Sequence, residues 1–78
     1  MIELSKEYIE NLKGLIEAKD DAKIQPILQD LYPADIAELY QELSLQEAIY
    51  LYLLMDGEKA ADVLMELDED DRKKLLKE

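Results

Sequence analysis

Carboxylates are the side chains of this sequence that could take part in chemistry. The 78 residues include 20 Asp and Glu, 9 Lys and Arg, and neither histidine nor cysteine. The missing types are the commonest general base, the usual thiol nucleophile and the main ligands of transition metals, so hydrolytic triads and zinc sites are nearly excluded. Carboxylate oxygens suit Mg²⁺ or Ca²⁺ instead. Mg²⁺ typically takes one or two carboxylates and completes its shell with water.

The acidic surface has two interpretations. A formal net charge of −11, with no lysine or arginine between Lys23 and Lys59, predicts repulsion of nucleic acid phosphates and anionic lipid headgroups. The surface is either a solvated one that keeps a small domain soluble, or a binding face for cations or a basic protein. The cluster Asp68–Asp71 looks like a cation site, but helix capping explains it more simply.

No segment is predicted to cross a membrane or to direct secretion. The longest apolar run, Ala48–Met55, is far shorter than the roughly 20 residues that a spanning helix needs. The first residues lack the cationic and apolar regions of a signal peptide. An enzyme is not expected either, because the sequence has no phosphate-binding glycine loop and no convincing carboxylate dyad. We therefore expect a soluble, non-catalytic segment that does not bind nucleic acid.

One apolar pattern recurs every twelve residues and determines the architecture. Apolar side chains at i, i+3, i+4 and i+7 form one stripe on a short helix. The clearest stripes are Ile36, Leu39, Tyr40 and Leu43; Ala48, Leu51, Tyr52 and Met55; and Ala60, Val63, Leu64 and Leu67. Because two helices make one repeat, the period is 24 residues. This period predicts an all-α stacked array of five or six short helices.

The pattern also predicts burial. The predicted core residues are Ile36, Leu39, Leu43, Ile49, Leu53, Val63, Leu64 and Leu67. Tyr8, Tyr40 and Tyr52 fall on the stripes, and their hydroxyls are expected to reach water. The run Ala48–Met55 could on periodicity alone be a buried strand, but the twelve-residue register favours a helix that is apolar on most sides.

Helix starts are marked by capping residues. The predicted N-caps are Ser5, Asp20 or Asp21, Ser44, Asp56 and Asp68. Ser44 should form a capping box with Glu47, and Pro33 should be the first residue of a helix. Pro26 predicts a late start or a kink in the second helix, because proline beyond the first turn removes a backbone hydrogen bond.

Three segments of the sequence resemble the cytoplasmic N-terminal domain of MgtE-type magnesium transporters and channels. They read LYPADIAELYQEL, LMDGEKAADVLMEL and DEDDRKKLL, and the similarity runs from about Asp20 to Leu76. The resemblance implies a right-handed superhelix that spans residues 1–78 as a single domain and is a fragment of a longer membrane protein. It also implies CBS and transmembrane pore domains as partners in the same protein, a homodimeric parent, and a place at the cytoplasmic face of the cell membrane.

The resemblance further implies a role in sensing Mg²⁺. In that family, cytoplasmic Mg²⁺ bound between acidic surfaces of the N-terminal domain and its neighbours holds the closed state. Asp62 corresponds to a family position implicated in this ion binding, and its place beside Val63 turns it partly away from the apolar stripe. The structural alternative is a local ion pair between Lys59 and Asp62. An isolated domain should bind Mg²⁺ weakly, because one surface offers few ligands at once.

An alternative function is a non-catalytic protein-interaction scaffold. The middle domain of flagellar motor-switch proteins uses similar short-helix repeats to bind partners. The residues that follow in the parent gene would separate the two functions. CBS repeats and apolar spans would support the magnesium transporter, and a soluble motor-binding domain would support the scaffold.

Overall fold

The computed structural model describes residues 4–77, and these form six α-helices and no β-strand. The helices are α1 (Lys6–Glu17), α2 (Asp21–Asp30), α3 (Pro33–Tyr40), α4 (Leu45–Leu54), α5 (Gly57–Glu66) and α6 (Glu69–Lys77). The all-α prediction with five or six short helices is therefore confirmed. The predicted single domain, residues 1–78, extends past the described range at both ends.

Side chains that accept hydrogen bonds from backbone N–H groups set the starts of four helices. Ser5, Ser44, Asp56 and Asp68 each accept from the N–H three residues later, at 2.8–3.2 Å. The Glu47 carboxylate also accepts from the Ser44 N–H at 2.8 Å, which completes the predicted capping box. α3 begins with Pro33, whose missing N–H would have had no partner in the first turn. These four predicted N-caps are therefore confirmed. Asp20 is the N-cap residue of α2, as one of the two predicted alternatives, but its side chain makes no capping hydrogen bond among the described residues.

The second helix differs from its prediction at Pro26. α2 begins well before Pro26 and runs through it, so the predicted late start is wrong, and the alternative of a kink stays a prediction. Pro26 has no N–H to donate to the Ala22 carbonyl, but its ring lies on the exposed side of the helix. Ile24 and Leu28 are at most 2% exposed. Their burial outweighs the missing hydrogen bond, because tertiary packing supplies most of the stability of a short helix.

One hydrophobic core joins all six helices. α3 packs most extensively against α5, and the pairs α1–α2, α1–α4 and α4–α6 are also in contact. Helices thus touch partners two and three places away, which is compatible with the predicted superhelix. Its right-handed sense stays a prediction. Within the predicted core, the buried residues are Ile36, Leu39, Val63 and Leu67, and the half-buried ones are Leu43, Ile49 and Leu64.

Leu53 corrects the predicted core. Its side chain is 74% exposed, so its predicted burial is wrong. Gln41 and Met65, twelve residues before and after it, are exposed as well, whereas Leu51 on the apolar stripe is fully buried. The twelve-residue register decides burial in α4. The high apolar content of the helix does not.

Tyr40 corrects the expectation that the tyrosines on the stripes send their hydroxyls to water. Its Oη is buried and has no hydrogen-bond partner among the described residues. Burial, with a smaller contribution from the Tyr52 phenol, raises the pKa of Tyr40 far above its usual range. The folded protein therefore keeps this phenol neutral.

Candidate functional site

Asp62 lies on the solvent-facing side of α5. The opposite side of the helix holds it in place, because Ala60 and Val63 are buried in the core. Asp62 is exposed, and so are Glu58 and Glu66, four residues before and after it. Residues spaced by four share one face of a helix, so α5 presents a row of three carboxylates. None of the three forms an ion pair with a residue in the described range.

Lys59 turns its ammonium group away from that row. Its Nζ donates to the carbonyl oxygens of Leu28 and of Gln29 (3.2 Å) in the last turn of α2. No ion pair joins Lys59 to Asp62 in the part of the chain that the structure describes, so the predicted structural alternative is wrong. The contact ties α5 to α2 and leaves the Asp62 carboxylate unpaired with the cation that is closest to it in sequence.

A cleft of about 330 Å³ lies between α3 and the turn from α5 to α6. Its lining includes the carboxylates of Glu38, Glu66 and Asp68. Across residues 4–77, however, no three acidic groups come close enough to hold one metal ion. The surface can therefore offer one or two oxygens to a hydrated Mg²⁺, and the other ligands must come from water or from a second surface.

Glu38 is a site residue that the sequence analysis did not single out. It occupies the position equivalent to Asp62 in the preceding 24-residue repeat, and both side chains are exposed. The packing of α3 against α5 brings Glu38 to the same cleft as Glu66. The repeat itself is the sequence signal that could locate this residue.

The Asp68–Asp71 cluster is used mainly for helix structure. Its first residue caps α6, and the Asp71 carboxylate accepts from the Gln41 side-chain amide at 2.7 Å. Glu69 forms an ion pair with Lys73 at 3.2 Å. The capping explanation is therefore confirmed for the first residue, and most of the cluster is already engaged.

The model of one protein family, described as the MgtE intracellular N domain, matches residues 31–78, which is more than half of the chain. The chain belongs to the MgtE N-domain family. The match takes in α3 to α6 and starts later than the predicted similarity from about Asp20. No curated protein and no solved structure matches the chain.

Membership makes this MgtE N domain part of a magnesium transporter with further domains, and its family is regulatory and not known as catalytic. The row of carboxylates on α5 lies inside the matched region. Across residues 4–77, no helix of the domain is both long enough and apolar enough to cross a membrane. The candidate site is therefore an acidic surface of α5 on a regulatory domain.

Proposed function

We propose that this MgtE N domain is a Mg²⁺-responsive regulatory domain at the cytoplasmic face of the membrane. Mg²⁺ bridges the acidic side of α5 to neighbouring domains of the same transporter, and this docking favours the closed state. The partners are CBS and transmembrane pore domains of a homodimeric parent. The domain acts by docking and not by catalysis.

The observation that supports the proposal is the row of Glu58, Asp62 and Glu66, which have no ion-pair partner among the described residues. A second acidic surface facing this row is repelled by it, and the repulsion acts most strongly where no cation lies between the charges. Lys59 is engaged with α2 and forms no ion pair with the row among the described residues. A divalent ion between the surfaces converts repulsion into attraction, so docking depends on the Mg²⁺ concentration.

The chemistry of the donors fits a hydrated ion that is shared between two surfaces. Mg²⁺ prefers oxygen ligands in octahedral geometry and gives up its waters reluctantly. Asp62 and Glu66 share one helix face and can contact an ion through its water shell. Because the remaining ligands would come from the neighbouring domain, we expect the isolated domain to bind Mg²⁺ weakly.

The test replaces Asp62 by asparagine in the full-length transporter. Asp62→Asn removes one charge from the docking face, and folding should hardly change because the side chain is exposed and has no ion-pair partner in the described residues. Protection of the cytoplasmic region against limited proteolysis, titrated with Mg²⁺, measures docking. The midpoint of protection should move to a higher Mg²⁺ concentration.

Glu7→Gln provides the matched control. Glu7 is an exposed carboxylate in the first turn of α1, outside the region matched to the family. Its replacement removes the same charge and should leave the midpoint at the parent value. An Asp62→Asn midpoint equal to that of the parent would remove Asp62 from the sensor. Protection that does not depend on Mg²⁺ at all would favour the interaction scaffold.

A further inference from the structure

Lys59 occupies a position where the two preceding helices carry acids. It is the third residue of α5, and the third residues of α3 and α4, Asp35 and Glu47, accept hydrogen bonds from the N–H groups of their own N-caps. A lysine ammonium group has donors only, so it cannot make that bond. Its side chain instead reaches α2, about thirty residues earlier in the chain.

The end of α2 is a favourable place for a cation. The last carbonyl oxygens of a helix carry partial negative charge, and α2 has no basic residue in its last turn and ends at Asp30. Hydrogen bonds from an ammonium group to such carbonyls are charge-assisted and stronger than those between neutral groups. An ion pair with Asp62 would instead be exposed to water and screened. These differences explain why Lys59 contacts α2.

Arg72 behaves in the same way at the end of α5. Its Nη2 donates to the carbonyl oxygen of Leu67 at 3.2 Å. Two cations that lie close in sequence to the acids of α5 are therefore drawn to helix ends. Within residues 4–77, neither of them forms an ion pair with Asp62 or Glu66.

We infer that Lys59 is a positioning residue for the acidic side of α5. By binding the end of α2, it fixes the orientation of α5 and withdraws a positive charge from the row that docks. The functional part of this inference rests on the proposed Mg²⁺-dependent docking, whereas the contact between Lys59 and α2 needs no Mg²⁺. Lys59 thus sets the response to the ion without touching it.

A double-variant cycle in the 78-residue chain, without Mg²⁺, tests the contact itself. Lys59→Met removes the ammonium group and should lower the thermal midpoint by about 5 °C or more. The same loss should appear in the Asp62→Asn background, because Asp62 is not the partner of Lys59. Lys59→Arg keeps the charge and the donors and should recover most of the midpoint.

Lys23→Met is the matched control for this cycle. Lys23 is an exposed lysine of α2, and its one ion pair within residues 4–77 is with Asp20, at 3.7 Å. Its replacement should leave the thermal midpoint close to that of the parent. A Lys59→Met loss that disappears in the Asp62→Asn background would overturn the inference. A Lys59→Met variant as stable as the parent would overturn it as well.

A Mg²⁺ titration of the full-length transporter, with the proteolysis assay, tests the functional part by the sign of the change. If Lys59 positions the row, Lys59→Met should raise the Mg²⁺ midpoint severalfold, because docking must then also order a loosened helix. If Lys59 instead neutralises Asp62, the variant should lower the midpoint, and that result would overturn the inference. Protection that does not depend on Mg²⁺, beside an intact stability cycle, would refute the docking proposal and uphold the contact between Lys59 and α2.

Discussion

Two junctions between helices occupy equivalent places in successive copies of the twelve-residue pattern. One joins α2 to α5, and the other joins α3 to α6. In the first, the Lys59 ammonium donates to the Gln29 carbonyl; in the second, the Gln41 side-chain amide donates to the Asp71 carboxylate. Gln41 follows Gln29, and Asp71 follows Lys59, by twelve residues. The register therefore determines where two helices meet, and the residue type determines which interaction joins them.

The two junctions leave different charges on the surface. The α2–α5 junction uses a cation and a backbone carbonyl, so it consumes no carboxylate and leaves Asp62 without an ion pair among the described residues. The α3–α6 junction uses the carboxylate of Asp71 as its acceptor, so that acid is already engaged. The acidic side of α5 thus depends on how the junction is built as well as on the number of acids in the sequence.

The two junctions are equivalent only if the twelve-residue register is correct, and two leucines of α4 test that register. Leu51 lies on the apolar stripe and is fully buried, whereas Leu53 is 74% exposed. Leu51→Ala should lower the free energy of unfolding by about 2–5 kcal/mol, because it leaves a cavity in a small core. Leu53→Ala should change it by less than about 0.5 kcal/mol. Denaturant unfolding measures both values, and equal losses would contradict the register.

Features of this fold that depend on residues close in sequence can be predicted from the sequence, and contacts between distant residues cannot. Caps act within three residues and stripes within one helix, so the helix starts and the burial of Leu39 and Val63 are predictable. Leu53 is misassigned when the apolar content of α4 is given more weight than the register. The partner of Lys59 lies on another helix about thirty residues away in sequence. No local pattern predicts a contact over that distance. Local spacing favours Asp62 instead, and tertiary packing overrides it.

The α3–α6 junction should be the more sensitive of the two to alkali. Tyr40 lines a cavity there with Gln41 and Asp71, and burial raises the pKa of its phenol. In the unfolded chain a tyrosine ionises near pH 10, so above this pH the unfolded state releases a proton that the folded state keeps. The free energy of unfolding should therefore fall by about 1.4 kcal/mol per pH unit above about pH 10 and keep its full value below.

Tyr40→Phe isolates this contribution. The variant should lose most of the alkaline slope, and a remainder should come from Tyr8 and Tyr50, whose pKa values are also raised, by burial and by the hydrogen bond to Asp21 respectively. At pH 7 the free energy of unfolding should be unchanged or slightly higher, because the lost hydroxyl has no partner among the described residues. Urea unfolding on both sides of pH 10 measures the slope. A full slope in the variant would assign it to other groups.

The smallest expected effect concerns the hydrogen bond between Gln41 and Asp71. Gln41 is exposed, so water competes for this bond. Gln41→Leu should lower the free energy of unfolding by about 0.5–1 kcal/mol. Gln29→Leu is the matched control and should be neutral, because the Gln29 backbone carbonyl accepts from Lys59 and its side chain does not. If Gln41→Leu and Lys59→Met lowered the free energy of unfolding by the same amount, the two junctions would differ in chemistry but not in energy.

Two of the turns between helices carry buried leucines. Leu31, after α2, and Leu67, after α5, are 2% and 5% exposed although they lie outside the helices. An extra residue in either turn would pull its leucine out of the core and break the twelve-residue phase between the helices on the two sides of the turn. Adding or removing a complete two-helix unit of 24 residues keeps that phase. Insertions and deletions that survive in relatives of this chain should therefore come in whole units, so the buried turns restrict how the length of the domain can evolve.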